Sequence, residues 1–229
     1  MEKGRILDSD SLQETLWRLE EARYGFRSKS DANVSEALDW ILSRQGLPES
    51  YRNRLFAPTE QDFRQGLRLL TGEQIRTRAA LMHILGEEAL RATIIWGHKF
   101  SQPVKKALQM FDHIHEAAHN SGRYCCYKCT IAFLRALTVV KPIDWNKTLT
   151  KGLSEIRKAR TDNGRWKGYP FYYTLLMLSE LDLPSAYDEL EHAHKAAEKL
   201  INKYAGNDRT TRFRRIALTA TTKKHKDSS

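Results

Sequence analysis

The string His115-Glu116-Ala117-Ala118-His119 has the residue types and spacing of a zinc-hydrolase helix. Residues four apart share a helix face, so the two imidazoles could hold one Zn²⁺ while Glu116 acts as general base on a bound water. Just beyond, Cys126 and Cys129 form a C-x-x-C pair that could complete a structural metal site with His115 and His119. The competing reading is that Cys125 and Cys129, at i and i+4, are small residues facing the core. All three cysteines fall within five positions, so no spread disulfide framework is available, and reduced thiols are expected. An HExxH pattern fixes only three positions and arises easily in a helical chain with eight histidines. A C-x-x-C on an apolar helix is equally unspecific. The expectation is therefore no metal, with zinc held by this cluster as the alternative.

Read further, HEAAHNSGRYC resembles the metzincin pattern HExxHxxGxxH, with Gly122 in place and Cys125 where the third histidine belongs. That resemblance implies a zinc-protease helix set behind a β-sheet, and no alternating apolar run predicts strands here. A second group carries different chemistry. Trp166, Tyr169, Phe171, Tyr172 and Tyr173 lie beside Arg160, Arg165 and Lys167. Such residues could stack on bases while the cations meet phosphates, or line a cavity for an apolar or cationic ligand. More often such a group forms the core of a helical hairpin with an amphipathic rim, and that reading is favoured. Arg123, Tyr124, Arg165, Trp166 and Tyr169 are the candidate binding residues of this group.

Formal net charge is +10 and is unevenly spread. From Lys203 onward, Lys203, Arg209, Arg212, Arg214, Arg215, Lys223, Lys224 and Lys226 face only Asp208 and Asp227, which supplies six of the ten excess charges. Residues 207–229 read as a basic C-terminal tail. It is either a solvated terminus that aids solubility or a phosphate-binding arm gaining from counterion release, with Arg212, Arg214 and Arg215 as its candidate contacts.

These residues need elements to position them, and the periodicity is helical throughout. A first helix starts at Ser9 or Ser11, with Leu12, Leu16 and Leu19 inward and Glu14, Arg18 and Glu21 outward. A second runs from Val34 to Arg44, and Pro48 to Phe56 reads as a loop. Thr59 and Asp62 have capping-box spacing before a third helix carrying Phe63, Leu67 and Leu70 as far as Gly72. The spacing predicts a fourth helix over Glu73 to Trp96, enclosed at Leu81 to Leu85, with Glu87 and Glu88 on a solvated face. Further helices are expected from Pro103, over Tyr124 to Val140, from Asp144 or Asn146, from Pro170 and from Pro184. The class is all-α, with nine or ten helices.

An internal repeat is visible. Asn120 to Leu137 reads NSGRYCCYKCTIAFLRAL and Asp162 to Leu181 reads DNGRWKGYPFYYTLLMLSEL. Both place Gly-Arg-aromatic at a turn and a threonine (Thr130, Thr174) in the apolar helix after it, offset by 42 and 44 positions. One hairpin cannot bury its own apolar face, so stacked hairpins forming a short solenoid or ring are expected. Over about 35 residues the second copy, with its Asp162-Asn163-Gly164-Arg165-Trp166 turn, resembles the repeat of the α/α-toroid superfamily of squalene cyclases and protein prenyltransferases. The resemblance implies toroid-like hairpin packing. It carries no catalytic residue over, because the Asp-rich motifs of those enzymes are missing and the chain has about half the length of a closed ring.

Apolar residues make up 41% and charged residues 29% of the 229, the balance of a globular protein. No run approaches the roughly 18 apolar residues of a membrane span. The Met1 to Arg5 start lacks a secretory h-region, so a cytoplasmic protein is expected. A single domain over residues 1–206 is expected, its repeat clearest at 103–182. The functional expectation is a non-enzymatic helical binding module whose basic surface meets an acidic partner, nucleic acid or another protein, and which could form a homodimer. The alternatives are a metal-dependent hydrolase or lyase using Glu116 and a small-ligand site in an aromatic cavity.

Overall fold

The computed structural model describes residues 4–228, with side chains as far as Lys223. Met1 to Lys3 of the N-terminal segment, and the side chains of Lys224 and Lys226 of the expected tail, lie outside the described residues. The fold is all-α. Its helices are α1 (Leu12–Arg23), α2 (Asp31–Ser43), α3 (Glu60–Gln65), α4 (Arg78–Ile95), α5 (Gln102–Ala118), α6 (Tyr127–Val140), α7 (Trp145–Lys158), α8 (Phe171–Ser179), α9 (Pro184–Ile201) and α10 (Arg209–Ser228). A two-residue antiparallel hairpin, β1 (Arg160–Thr161) with β2 (Arg165–Trp166), is the one departure from the expectation of no strands among the described residues. The chain divides into two compact units. One comprises residues 1–67 and 74–116, the other residues 68–73 and 117–229.

In the first unit, α4 packs on α1 and α2. Leu12, Leu16 and Leu19 of α1, Ala37, Leu38 and Ile41 of α2, and Ile84, Leu85 and Leu90 of α4 are buried. Thr59 and Asp62 form the expected capping box. The Asp62 carboxylate also accepts from the Ser11 hydroxyl (2.6 Å) and from the backbone N–H groups of Leu12 (3.0 Å) and Gln13 (3.2 Å), so one buried side chain caps both α1 and α3. Helix α3 stops earlier than expected, at Gln65, where Gly66 takes φ +70. Residues 66–77 form turns, and α4 starts at Arg78 with Thr77 as its N-cap.

The expectation that Glu21, Glu87 and Glu88 face water is wrong: all three are buried. Arg91 of α4 pairs with Glu20 and lies 3.8 Å from Glu88, Arg27 pairs with Glu21 (3.1 Å), and His83 lies 3.4 Å from Glu87. Burial of a carboxylate is tolerated when partners meet it, and those of Glu87 and Glu88 lie one turn away on α4 itself. Burial raises the Glu87 carboxyl above the usual carboxylate range despite its neighbour His83.

In the second unit, α6 packs on α7 and α8, α8 on α9, and α10 on both α8 and α9. Phe133, Leu134, Leu149, Leu153, Leu175, Leu176, Leu190 and Ala193 fill the core. The segment expected to be a tail is instead a packed helix. Phe213, Ala217, Leu218 and Thr221 are fully buried, and their i, i+4, i+5, i+8 spacing lays one apolar stripe on α8 and α9. Arg214 Nε donates to the Thr71 carbonyl (2.8 Å), which ties the 68–73 segment to α10.

The two turns of the sequence repeat each press a glycine onto a later helix. Gly122 (φ +67) lies against the backbone of α7, where a Cβ would come within 2.2 Å of Gly152 N. Gly164 (φ +74) lies against α9, where a Cβ would meet the His192 carbonyl at 3.1 Å. Positive φ and close backbone approach both demand glycine. Thr130 and Thr174 are fully buried, and Thr130 fastens its turn by donating to the Tyr124 and Cys126 carbonyls.

Candidate functional site

The candidate binding residues fall at three places in the second unit. The first is the β1–β2 turn. Glu189 of α9, 1% exposed, accepts from Arg160 Nε (3.0 Å), Arg160 Nη2 (2.8 Å) and Trp166 Nε1 (2.8 Å). This triad locks the turn onto α9. It also settles what the aromatic residues do. Trp166, Tyr169 and Phe171 are 3%, 7% and 7% exposed, and Tyr173 is fully buried, so they are core, and Trp166 and Tyr169 offer no open ring for a base. Burial pushes the Tyr169 phenol up to about 12. Arg165 remains exposed, its guanidinium 4.7 Å from the Phe171 ring centroid.

The second place is the cationic side of α10. Arg214 lies 4.6 Å from the Tyr172 ring centroid and 5.3 Å from that of Tyr204. The two phenol oxygens are 2.5 Å apart. Burial and this hydrogen bond push the Tyr172 phenol up to about 12. Arg215 donates to the carbonyls of Tyr204 (3.0 Å) and Gly206 (2.6 Å). Arg212, Arg214 and Arg215 are all half-buried. The hydrogen bonds of Arg214 and Arg215 run to neutral oxygens and hold the two guanidinium groups in place, and the Arg214 charge also helps to lower the Asp208 carboxyl.

The third place is the turn into α6. Arg123 is exposed and stands 5.0 Å from the Tyr127 ring centroid. Tyr127 is 38% exposed and packs 4.7 Å from the Tyr169 ring, making it the accessible aromatic here that sequence reasoning passes over. Tyr124 is half-buried, its N–H bonded to Thr130 Oγ1 (3.1 Å). The helix begins at Tyr127 rather than Tyr124, and this changes the cysteines. Cys125, with φ +58, and Cys126 are exposed, and Cys129 alone is buried.

The HEAAH string, which carries the zinc alternative, lies at the C-terminal end of α5. His115 is buried, while Glu116 is exposed and lies 3.5 Å from His113. Helix α5 ends at Ala118, and His119, in the turn beyond it, places Nδ1 3.0 Å from Thr148 Oγ1. His119, Cys126 and Cys129 do not bring their ligand atoms within 4.8 Å of one another.

Charge is segregated between the units. The second unit carries 22 Lys and Arg against 12 Asp and Glu, which is the whole net charge of +10, while the first balances 16 against 16. Among the described residues no helix is long and apolar enough to cross a membrane. Compared with protein-family models, with curated proteins and with solved structures, the chain matches none.

Proposed function

We propose that the second unit is a non-enzymatic helical binding module for nucleic acid. The observation that carries this reading is the confinement of the entire net charge to one unit, where arginines of α10 rest on carbonyl oxygens. A surface with net positive charge gains from counterion release when phosphates replace its ion atmosphere. The Arg123–Tyr127 pair adds an accessible ring beside a cation, the combination that stacks on an unpaired base. The matching placement of Gly122 and Gly164 supports the toroid-like hairpin repeat as the scaffold, and an incomplete ring would pair with a second copy of the chain. Three free thiols suit a cytoplasmic setting.

The test is fluorescence anisotropy of a labelled single-stranded oligonucleotide titrated with the full chain at several salt concentrations. Binding should weaken steeply, log K falling by about 0.7 per phosphate neutralised for each decade of salt. No binding at low salt, salt-independent binding, or equal affinity for polyglutamate would overturn the nucleic-acid reading. Sedimentation velocity on the same sample reads the dimer.

A further inference from the structure

We propose that Cys126 and Cys129 form a thiol–disulfide exchange centre at the N-terminus of α6, reacting with small disulfides that carry carboxylates. The two sulfurs are 3.2 Å apart, close to the reach of an S–S bond of about 2.05 Å. They differ in the way the chemistry requires. Cys126 is exposed and occupies the N-cap of α6, where helix N–H groups and the positive end of the helix dipole favour an anion. Cys129, one turn inside, is fully buried. Local structure holds this arrangement: the positive φ of Cys125 turns the chain into α6, and the Thr130 hydroxyl pins the Tyr124 and Cys126 carbonyls.

Ionisation has the same asymmetry. Partial burial opposes the Cys126 thiolate, but the backbone N–H and thiol of Cys129, the N–H of Lys128 and the Lys128 charge outweigh it and lower the thiol below its ordinary range. Burial, together with the neighbouring Cys126, raises Cys129. Cys126 is thus the attacking sulfur and Cys129 the resolving one. The Cys126 thiolate attacks one sulfur of R–S–S–R, forming Cys126 Sγ–S–R and releasing RS⁻. Cys129 gives up its proton to the released thiolate and attacks Cys126 Sγ, forming the Cys126–Cys129 disulfide and expelling the second RS⁻. Two electrons pass from the dithiol to the substrate disulfide, and two protons go with them to give two RSH. The exposed Arg123 and the nearby Lys128 select an anionic partner.

The test uses the full chain with glutathione disulfide and with the cationic disulfide cystamine, quenched by alkylation and read by mass spectrometry and peptide mapping. Two thiols should disappear together as a Cys126–Cys129 disulfide while Cys125 stays alkylatable, and glutathione disulfide should react faster than cystamine. Cys129→Ser should accumulate one glutathionyl adduct on Cys126. Cys126→Ser should lose the reaction while keeping the helical circular dichroism of the parent. A Cys125–Cys126 disulfide, no disulfide in excess oxidant, faster reaction with cystamine, or thiols already blocked by stoichiometric zinc would each overturn the proposal. Thiol exchange does not depend on nucleic-acid binding, and either can fail alone.

Discussion

Glu189→Gln isolates the tie that holds the β1–β2 turn on α9. In the parent the carboxylate, its side chain 2% exposed, collects three donors, two from Arg160 and one from Trp166. Glutamine keeps the shape and one acceptor oxygen, but its NH₂ must face a donor and the negative charge is gone. Loss of a hydrogen bond to a charged group costs about 1.5–3 kcal/mol. The full penalty for orphaning a buried cation, about 3–5 kcal/mol, does not apply, because the Arg160 side chain is 27% exposed and water can reach it. We expect a loss of about 2–3 kcal/mol. With a urea m-value of about 2 kcal/mol/M, the midpoint of the second unit should fall by about 1–1.5 M. Trp166→Phe removes the neutral donor and part of a buried ring but leaves the ion pair, so its cost of about 1–3 kcal/mol combines a lost hydrogen bond with lost packing. The assay is urea unfolding monitored by circular dichroism and tryptophan fluorescence, the two probes showing whether the units unfold together. A Glu189→Gln effect below about 0.5 kcal/mol would refute the assignment of this carboxylate as the tie.

Gly122→Ala should be far more damaging than its size suggests. Its Cβ would fall 2.2 Å from Gly152 N at φ +67, and the left-handed backbone alone costs about 1–2 kcal/mol, so thermal unfolding should show a loss of at least about 3 kcal/mol. Asp62→Asn cannot accept from all the donors now met at α1 and α3 and should cost about 2–3 kcal/mol by urea unfolding. Glu87→Gln should change the pH dependence of stability. Because folding raises this carboxyl, the unfolded chain loses its proton first as pH rises. The stability that the group contributes is therefore complete below the unfolded value, about 4.3, and is lost as pH climbs through the folded value. The variant should lack that decline and equal or exceed the parent at pH 7, which denaturation across pH 4–8 reads.

Much of the fold is legible because local chemistry announces it. Ser11, Thr59 with Asp62, and Pro184 each sit where a helix begins, and side-chain caps or a proline's fixed φ mark such places without tertiary help. The failures share a different cause. Glu21, Glu87 and Glu88 are expected to point outward since charge favours water, but the faces of α1 and α4 that carry them are covered by the fold, with Arg27, His83 and Arg91 close in sequence as their partners, and Glu20 meets Arg91 across 71 positions of sequence. In α10 the apolar stripe of Phe213, Ala217 and Leu218 is present in the sequence and is masked by its density of cations. At the cysteines, the C-x-x-C spacing is plain, but periodicity starts α6 three residues early. Cys125 in a left-handed conformation ends that extension and makes Cys126 the N-cap, a backbone choice that spacing does not encode. Trp166 and Tyr169 stay binding candidates beside the favoured core reading because composition cannot tell a buried ring from an open one.

The central claim is that the second unit, rather than bulk charge, holds the polyanion. Two variants with matched charge test it: Arg123, Arg165 and Lys167 all changed to Gln in the second unit, and Arg52, Arg54 and Arg64 all changed to Gln in the first. All six side chains are exposed, and each variant removes three positive charges. Oligonucleotide binding measured at several salt concentrations should weaken, with a shallower salt slope, in the second-unit variant and stay close to the parent in the first-unit variant. Equal losses in the two, or a larger loss in the first-unit variant, would contradict the account.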